Sequence, residues 1–500
     1  MKRIIVIFVL CAAVMLSACG TAATTPVPTA EPTITAAEES TVEPTTEEST
    51  TTAVPETTAA PETTAAPETE TTAVPETTAA PETETSANVE KLEPLYAAAA
   101  FESADEDEIR RRLAFGQTAV ETAIVEGLRT LAERALPHLA EAKLDENVVF
   151  STPSLALALG MLAEGSEGVT RDELVTALGL PEDGAWMEAL IAALNLSLDE
   201  KDQPQLTIES SRALWLQEGC RLRAEYGETA SQAWHADINV WAQAERAAAH
   251  EAIGQWYEEK SHGLLPAATV PKELPAESMS LILLDALYYK ANWWEPFNAE
   301  LTVDDVFFSD GGEEIPVRMM QQQLLGQTAL KRKDYQIAGL QLAGGYEFVV
   351  ALPTGKKGAD ELLQNAGFRR DFASQHKDVY DIEWQLPQLD LKLGADLLPL
   401  LQELGVTTAM TERADFGALF EDARPGDFVL SSLHQDARLL LDEEGVEAAA
   451  VTMAAVDGTA MPQEQEKLVM RLDRPFVAEI RSPNGLPLFS MVVRDPGVRP

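Results

Sequence analysis

Residues 443–456 read E-E-G-V-E-A-A-A-V-T-M-A-A-V. An acidic pair, Glu443 and Glu444, and then Gly445 open the stretch. Val446, Glu447, Ala448, Ala449 and Ala450 follow, and Glu447 is the one charged side chain after the glycine. Alanine runs favour helix. This one follows the β-rich F-V-L-S-S-L-H-Q-D-A-R-L-L-L of residues 428–441 and ends in Asp457-Gly458, a turn signal. Small side chains also let a segment slide between two packed strands without clashing. A stretch fit to be either an exposed loop or a buried strand points to a switch rather than to a catalyst.

Other stretches carry the same reading in a fixed order. Residues 147–178 run N-V-V-F-S-T-P-S-L-A-L-A-L-G-M-L-A-E-G-S-E-G-V-T-R-D-E-L-V-T-A-L, and residues 284–297 run L-D-A-L-Y-Y-K-A-N-W-W-E-P-F. Shorter ones are P-V-R-M-M-Q (316–321), W-Q-L-P-Q-L (384–389), A-D-F-G (414–417), R-P-F (474–476) and P-L-F (487–489). Together with 443–456 these resemble the serpin family, whose hinge pattern is E-x-G-T-E-A-A-A-x-T. The resemblance spans residues 118–496 and defines a serpin domain at 118–500.

The rest of the 500-residue chain is of a different kind. Met1-Lys2-Arg3 and an apolar run to Leu16 read as a signal peptide, residues 1–18, too short for a comfortable membrane span. Leu16-Ser17-Ala18-Cys19 resembles a bacterial lipobox, which makes Cys19 a lipidation site and the membrane a partner through a lipid anchor. The alternative is an ordinary secretory signal. Residues 19–90 are a disordered stalk of Thr, Pro, Glu and Ala, with near-copies of one motif at Thr51 and Thr71. In polyproline II its reach has an upper bound of roughly 200 Å. Residues 91–117 form a pre-domain segment whose acidic-then-basic run leaves a helix open. The expected location is the outer face of the bacterial cell envelope, or secretion if Cys19 carries no lipid.

A net charge of −45 speaks against nucleic acid, which needs a basic surface. Of three cysteines, Cys11 lies in the signal and Cys19 at the lipobox, so Cys220 is alone in the domain and has no disulfide partner there. Six histidines are scattered with no metal motif: His250-Glu251 begins like H-E-x-x-H, but the fifth residue is Gly254. Gly165-Ser166-Glu167-Gly168 is not a nucleophile elbow, and no phosphate-binding loop occurs. No metal, cofactor or catalytic residue is expected; the chain is not read as an enzyme.

Periodicity puts a helix at 118–139, a wholly apolar one from Phe150-Ser151-Thr152-Pro153 onward, and another after Thr170. Strands dominate later, and helices followed by strands read as α+β. The resemblance sharpens this to a serpin fold: three β-sheets, eight or nine helices and an exposed reactive-centre loop. It implies a monomer that inhibits a serine (or cysteine) protease by suicide. The loop is cut, a covalent acyl complex forms, and the freed hinge enters the main sheet as a strand. The hinge is Glu444, Gly445, Val446, Glu447, Ala448, Ala449 and Ala450. Trp293 is placed at the breach, and Ser151, Ser154 and His434 at the shutter; each reads otherwise as a core residue. Family spacing from Gly445 puts the reactive bond at Thr459-Ala460, with Ala460-Met461 as the rival. No Lys or Arg lies between Arg438 and Lys467, which disfavours a trypsin-like target and suits an elastase-like or subtilisin-like one. The alternative is a non-inhibitory serpin serving as a surface binding protein. Asp285 stands where the family usually has Asn, an ionisable group beside the sheet that has to open.

Overall fold

The computed structural model describes residues 94–99, 118–179, 197–198, 205–219, 221–265, 280–355, 357–374, 378–446 and 465–498. Helix α1 (Ala119–Ala142) begins where a capping box forms. Thr118 Oγ1 accepts from the Glu121 N–H at 3.2 Å, and the Glu121 carboxylate accepts from the Thr118 N–H at 2.9 Å. After the short strand β1 (Val148–Phe150), Ser151 caps α2 (Thr152–Glu164), and Pro153 occupies its first turn. Nearly every residue of α2 is buried, as an apolar helix without a polar face must be. Helix α3 (Gly168–Ala177) starts two residues before Thr170. Thr170 is therefore not its cap: the Thr170 hydroxyl accepts from the Asp415 N–H at 2.9 Å instead. Helices α4 (Ala224–Gln232), α5 (Arg246–Lys260), α6 (Ala359–Leu363), α7 (Ala366–Ala373) and α8 (Leu398–Glu403) complete eight α-helices among the described residues.

The large sheet has the order β11 (Leu389–Asp396), β12 (Val429–Leu441), β13 (Gly445–Val446), β5 (Ser280–Asn292), β3 (Leu206–Gln217) and β2 (Ser197–Leu198), with β4 (Ala236–Trp241) also on β3. Period two sorts its side chains to two faces. Leu214, Leu216, Leu283 and Tyr289 join the main core with α1 and α2, whereas Ala213, Trp215, Ile282 and Leu284 form a second cluster under Ile253 and Tyr257 of α5.

The other strands form one continuous ladder: β1, β16 (Pro487–Val493), β15 (Phe476–Arg481), β9 (Glu347–Pro353), β8 (Tyr335–Gln341), β7 (Glu314–Lys331), β10 (Asp378–Pro387) and β14 (Glu466–Arg471), with β6 (Val303–Phe308) on β7. The 18-residue β7 is long enough to pair β8 at one end and β6 and β10 along the rest. It thereby joins two of the three expected sheets. The architecture is the α+β serpin fold, with five of the eight described helices before β5 and three, α6 to α8, between later strands.

Candidate functional site at the hinge end of the large sheet

Strand β12 ends at Leu441, and the chain reverses through Asp442, Glu443 and Glu444. It re-enters the sheet as β13, antiparallel to both neighbours: Val446 pairs with Leu441 of β12 and with Ala291 of β5. Asp442 builds the turn. Its carboxylate accepts from the N–H groups of Glu444 (2.9 Å) and Gly445 (3.3 Å), and its own N–H donates to the Gly445 carbonyl at 2.9 Å.

Glycine is required at 445. Its φ is +148°, and a Cβ there would lie 2.3 Å from the Ala291 carbonyl oxygen and 2.7 Å from Asn292 Cα, both backbone atoms of the central strand. Val446, only 1 % exposed, is already inside the sheet.

Trp293 holds this end together. Its N–H donates to the Glu444 carbonyl and its Nε1 to the Asp442 carbonyl, both at 2.9 Å. Its ring meets Phe297 and Phe348 edge-on, with centroids 5.8 and 5.9 Å away. Glu443 accepts from Thr302 Oγ1 at 2.6 Å and Gln388 Nε2 at 2.8 Å, and its carbonyl accepts from the Phe297 N–H. Partial burial works to raise the Glu443 pKa, but the Thr302 and Gln388 hydrogen bonds outweigh it and hold the carboxyl below its ordinary value.

Below β13 the ladder is open. β5 and β12 pair in parallel from Val429↔Ser280 to Leu433↔Leu283. From there to the Val446 level, the pairs made among the described residues are β5 with β3 and β12 with β11. Two strand edges thus face each other without a shared ladder between a closed foot and an inserted tip.

Two polar contacts tie this region to its surroundings. Gln435 of β12 makes a paired contact with the start of α2: the Ser151 N–H donates to Gln435 Oε1 at 2.9 Å, and Gln435 Nε2 donates to the Ser151 carbonyl at 3.0 Å. Ser154, on the first turn of α2, donates its N–H to Ser151 Oγ at 3.3 Å. Asp285 of β5 stands opposite Arg212 of β3, and the buried pair is 3.5 Å apart. Arg212 also donates to the Trp234 carbonyl and to Ser210 Oγ. Burial pushes the Asp285 carboxyl above its ordinary value, while Arg212 and Ser154 favour its ionised form.

The structure brings Trp293, Glu444, Gly445 and Val446 together at one end of the sheet, and Ser151, Ser154 and the backbone of His434 beside its open stretch. The His434 side chain, hinge residues Glu447, Ala448, Ala449 and Ala450, the candidate bond residues Thr459, Ala460 and Met461, and Cys19 lie outside what is described. Sequence reading missed Gln435 and Arg212. The signal for both was a polar residue in phase with the buried side chains of a strand.

A family model for "Serpin (serine protease inhibitor)" matches residues 126–496. Serpin-ZXA of Oryza sativa subsp. japonica is 25 % identical over 364 residues, covering 70 % of this chain and 90 % of that protein. Neuroserpin of Mus musculus is 27 % identical over 374 residues, covering 72 % and 88 %. The crystal structure of Serpin48 of the insect Tenebrio molitor is similar with a TM-score of 0.64 at 21 % identity, covering 75 % of this chain and 98 % of that one. The chain belongs to the serpin family of serine protease inhibitors.

Proposed function

We propose that this serpin is a cell-surface suicide inhibitor of serine endopeptidases with small specificity pockets, elastase-like or subtilisin-like, and that Cys19 carries its lipid anchor. The observation that supports this most is the seating of Gly445 and Val446 between β5 and β12 above strand edges that share no ladder. The protease's serine oxygen attacks the Thr459 carbonyl carbon, the bond to Ala460 breaks, and the amine of Ala460 leaves with a proton from the protease. Thr459 remains on the enzyme as an ester. The freed segment then continues the path that Val446 has begun. Filling the open stretch adds on the order of a dozen backbone hydrogen bonds; at about 1 kcal/mol net each, this releases roughly 10 kcal/mol before apolar burial is counted. The residues that follow Val446 suit the path: Ala448, Ala449, Ala450 and Val451 are small, and alternation turns Glu447 away from the core.

The test is incubation with elastase-like and subtilisin-like proteases, read by denaturing gel and by mass spectrometry of the loop. An SDS-stable adduct with the acyl bond at 459 or 460 is expected. Clean cleavage with no adduct would refute the inhibitory reading and leave a non-inhibitory surface binding protein. Mass analysis of the membrane-extracted N-terminus tests the anchor: a diacylated Cys19 is expected, and an unmodified one removes it.

A further inference from the structure

Upstream of the residues that the family model matches, residues 94–99 lie as an extended strap against the outer edge of the large sheet. Tyr96 forms an antiparallel bridge with Ile238 of β4. Its N–H donates to the Ile238 carbonyl at 3.2 Å, and the Ile238 N–H donates back at 2.8 Å. The Ala98 N–H donates to Asp237 Oδ1 at 2.8 Å, and the Ala99 N–H to the Ser231 carbonyl at 2.9 Å. The other Asp237 oxygen accepts from Trp256 Nε1 at 3.2 Å, so one carboxylate ties strap, β4 and α5 together. The His235 ring nitrogen Nδ1 is 2.7 Å from the Ala99 carbonyl oxygen, and His235 adopts a left-handed backbone (φ 48°) immediately before β4.

The contact is built from both sides. Gly227 lies inside α4, where glycine is disfavoured. The three atoms nearest a Cβ there all belong to the Tyr96 ring, the first at 2.6 Å. The helix has therefore given up a side chain at a point where the ring packs against it. β4 pairs β3 on its inner side, and an unpaired outer edge would be a template for another chain.

Direction follows from register. β5 runs toward the hinge, β3 is antiparallel to it, β4 is parallel to β3, and the strap is antiparallel to β4. The strap therefore runs from Pro94 toward the hinge end. Tyr96 is level with Ile238, Leu214 and Leu283, and the eight-residue step from Leu283 to Ala291, the partner of Val446, spans about 26 Å.

We propose that residues 95–99 are an anchor strap. By strand addition to β4 and by seating Tyr96 on Gly227, the strap completes the sheet edge. It also fixes Pro94 on the side of Tyr96 away from the hinge end.

The experiment compares the full chain with Tyr96→Ala, Gly227→Ala and the double variant, by amide hydrogen exchange and thermal unfolding. Either single change should speed exchange at the Ile238 N–H by at least about tenfold, and the second change should add little. Gly227→Ala should lower the unfolding midpoint when Tyr96 is present and raise it in the Tyr96→Ala background, where the added methyl group only favours the helix. Unchanged exchange at Ile238 overturns the proposal, and so does a Gly227→Ala shift of the same sign in both backgrounds.

Discussion

Val446→Arg tests the hinge most directly. Val446 is buried between β5 and β12, so an arginine there starts its side chain inside the core while β13 keeps its pairing with Leu441 and Ala291. Burying an unpaired guanidinium costs more than giving up the strand. The chain should therefore eject residues 445–446. Ejection loses the burial of one valine, about 2 kcal/mol. It also loses the hydrogen bonds that hold the tip, including Asp442 N–H to the Gly445 carbonyl, at about 1 kcal/mol each. The loss is capped near 3–4 kcal/mol, because β5 keeps β3 and β12 keeps β11. Urea unfolding followed by circular dichroism reads this as a lower midpoint with an unchanged slope. The same variant, challenged with the protease that gives an adduct with the parent, should be cut and released without one. The acyl bond still forms, but the first residue of the entering strand now blocks the path. A Val446→Arg chain that keeps both its midpoint and its adduct would refute the claim that Val446 leads insertion.

Two further predictions concern charge. The Glu443 carboxyl is held below its ordinary value of 4.5, so its contribution is present above that value and lost as pH falls through the lowered one; Glu443→Gln should flatten the acid limb of stability below about pH 4.5 and leave the neutral region little changed. Asp285→Ala should cost about 3–5 kcal/mol in urea unfolding by stranding the Arg212 charge in the core, whereas Arg212→Met with Asp285→Leu should recover most of that loss; equal losses in the single and the paired variant would show that the ion pair is not what holds β3 to β5.

Much of the fold was legible because local signals agreed with one another. Apolar periodicity marks the first helix, Ser151-Thr152-Pro153 spells a helix start, and the apolar run after it has no face to expose. Thr170 shows the limit. A threonine before two acidic residues has the look of a cap, yet its hydroxyl serves the Asp415 backbone, a partner far along the chain. The hinge was legible as a composition but not as a position. Nothing local says that Gly445 and Val446 are already seated, because that depends on where the Ala291 carbonyl and Asn292 Cα stand.

Gln435 and Arg212 mark a more instructive gap. Period two along β12 puts Leu433, Gln435, Ala437, Leu439 and Leu441 on one face, and all five are buried. Period two alone thus identifies Gln435 as a buried amide in need of partners. Arg212 and Asp285 are opposite charges in otherwise apolar strands. Such residues are tolerated there only as a pair, so each predicts the other once the two strands are neighbours. Register was the missing step, and it is set by cross-strand geometry rather than by either strand alone. The same holds at the sheet edge. The signal for the strap was Gly227, a glycine inside a helix, whose reason lies more than a hundred residues upstream in the ring of Tyr96. In each case the sequence carries an unpaid local cost: a charge in a core strand, an amide among aliphatics, or a glycine in a helix. The distant partner that offsets the cost is the one physics leaves room for.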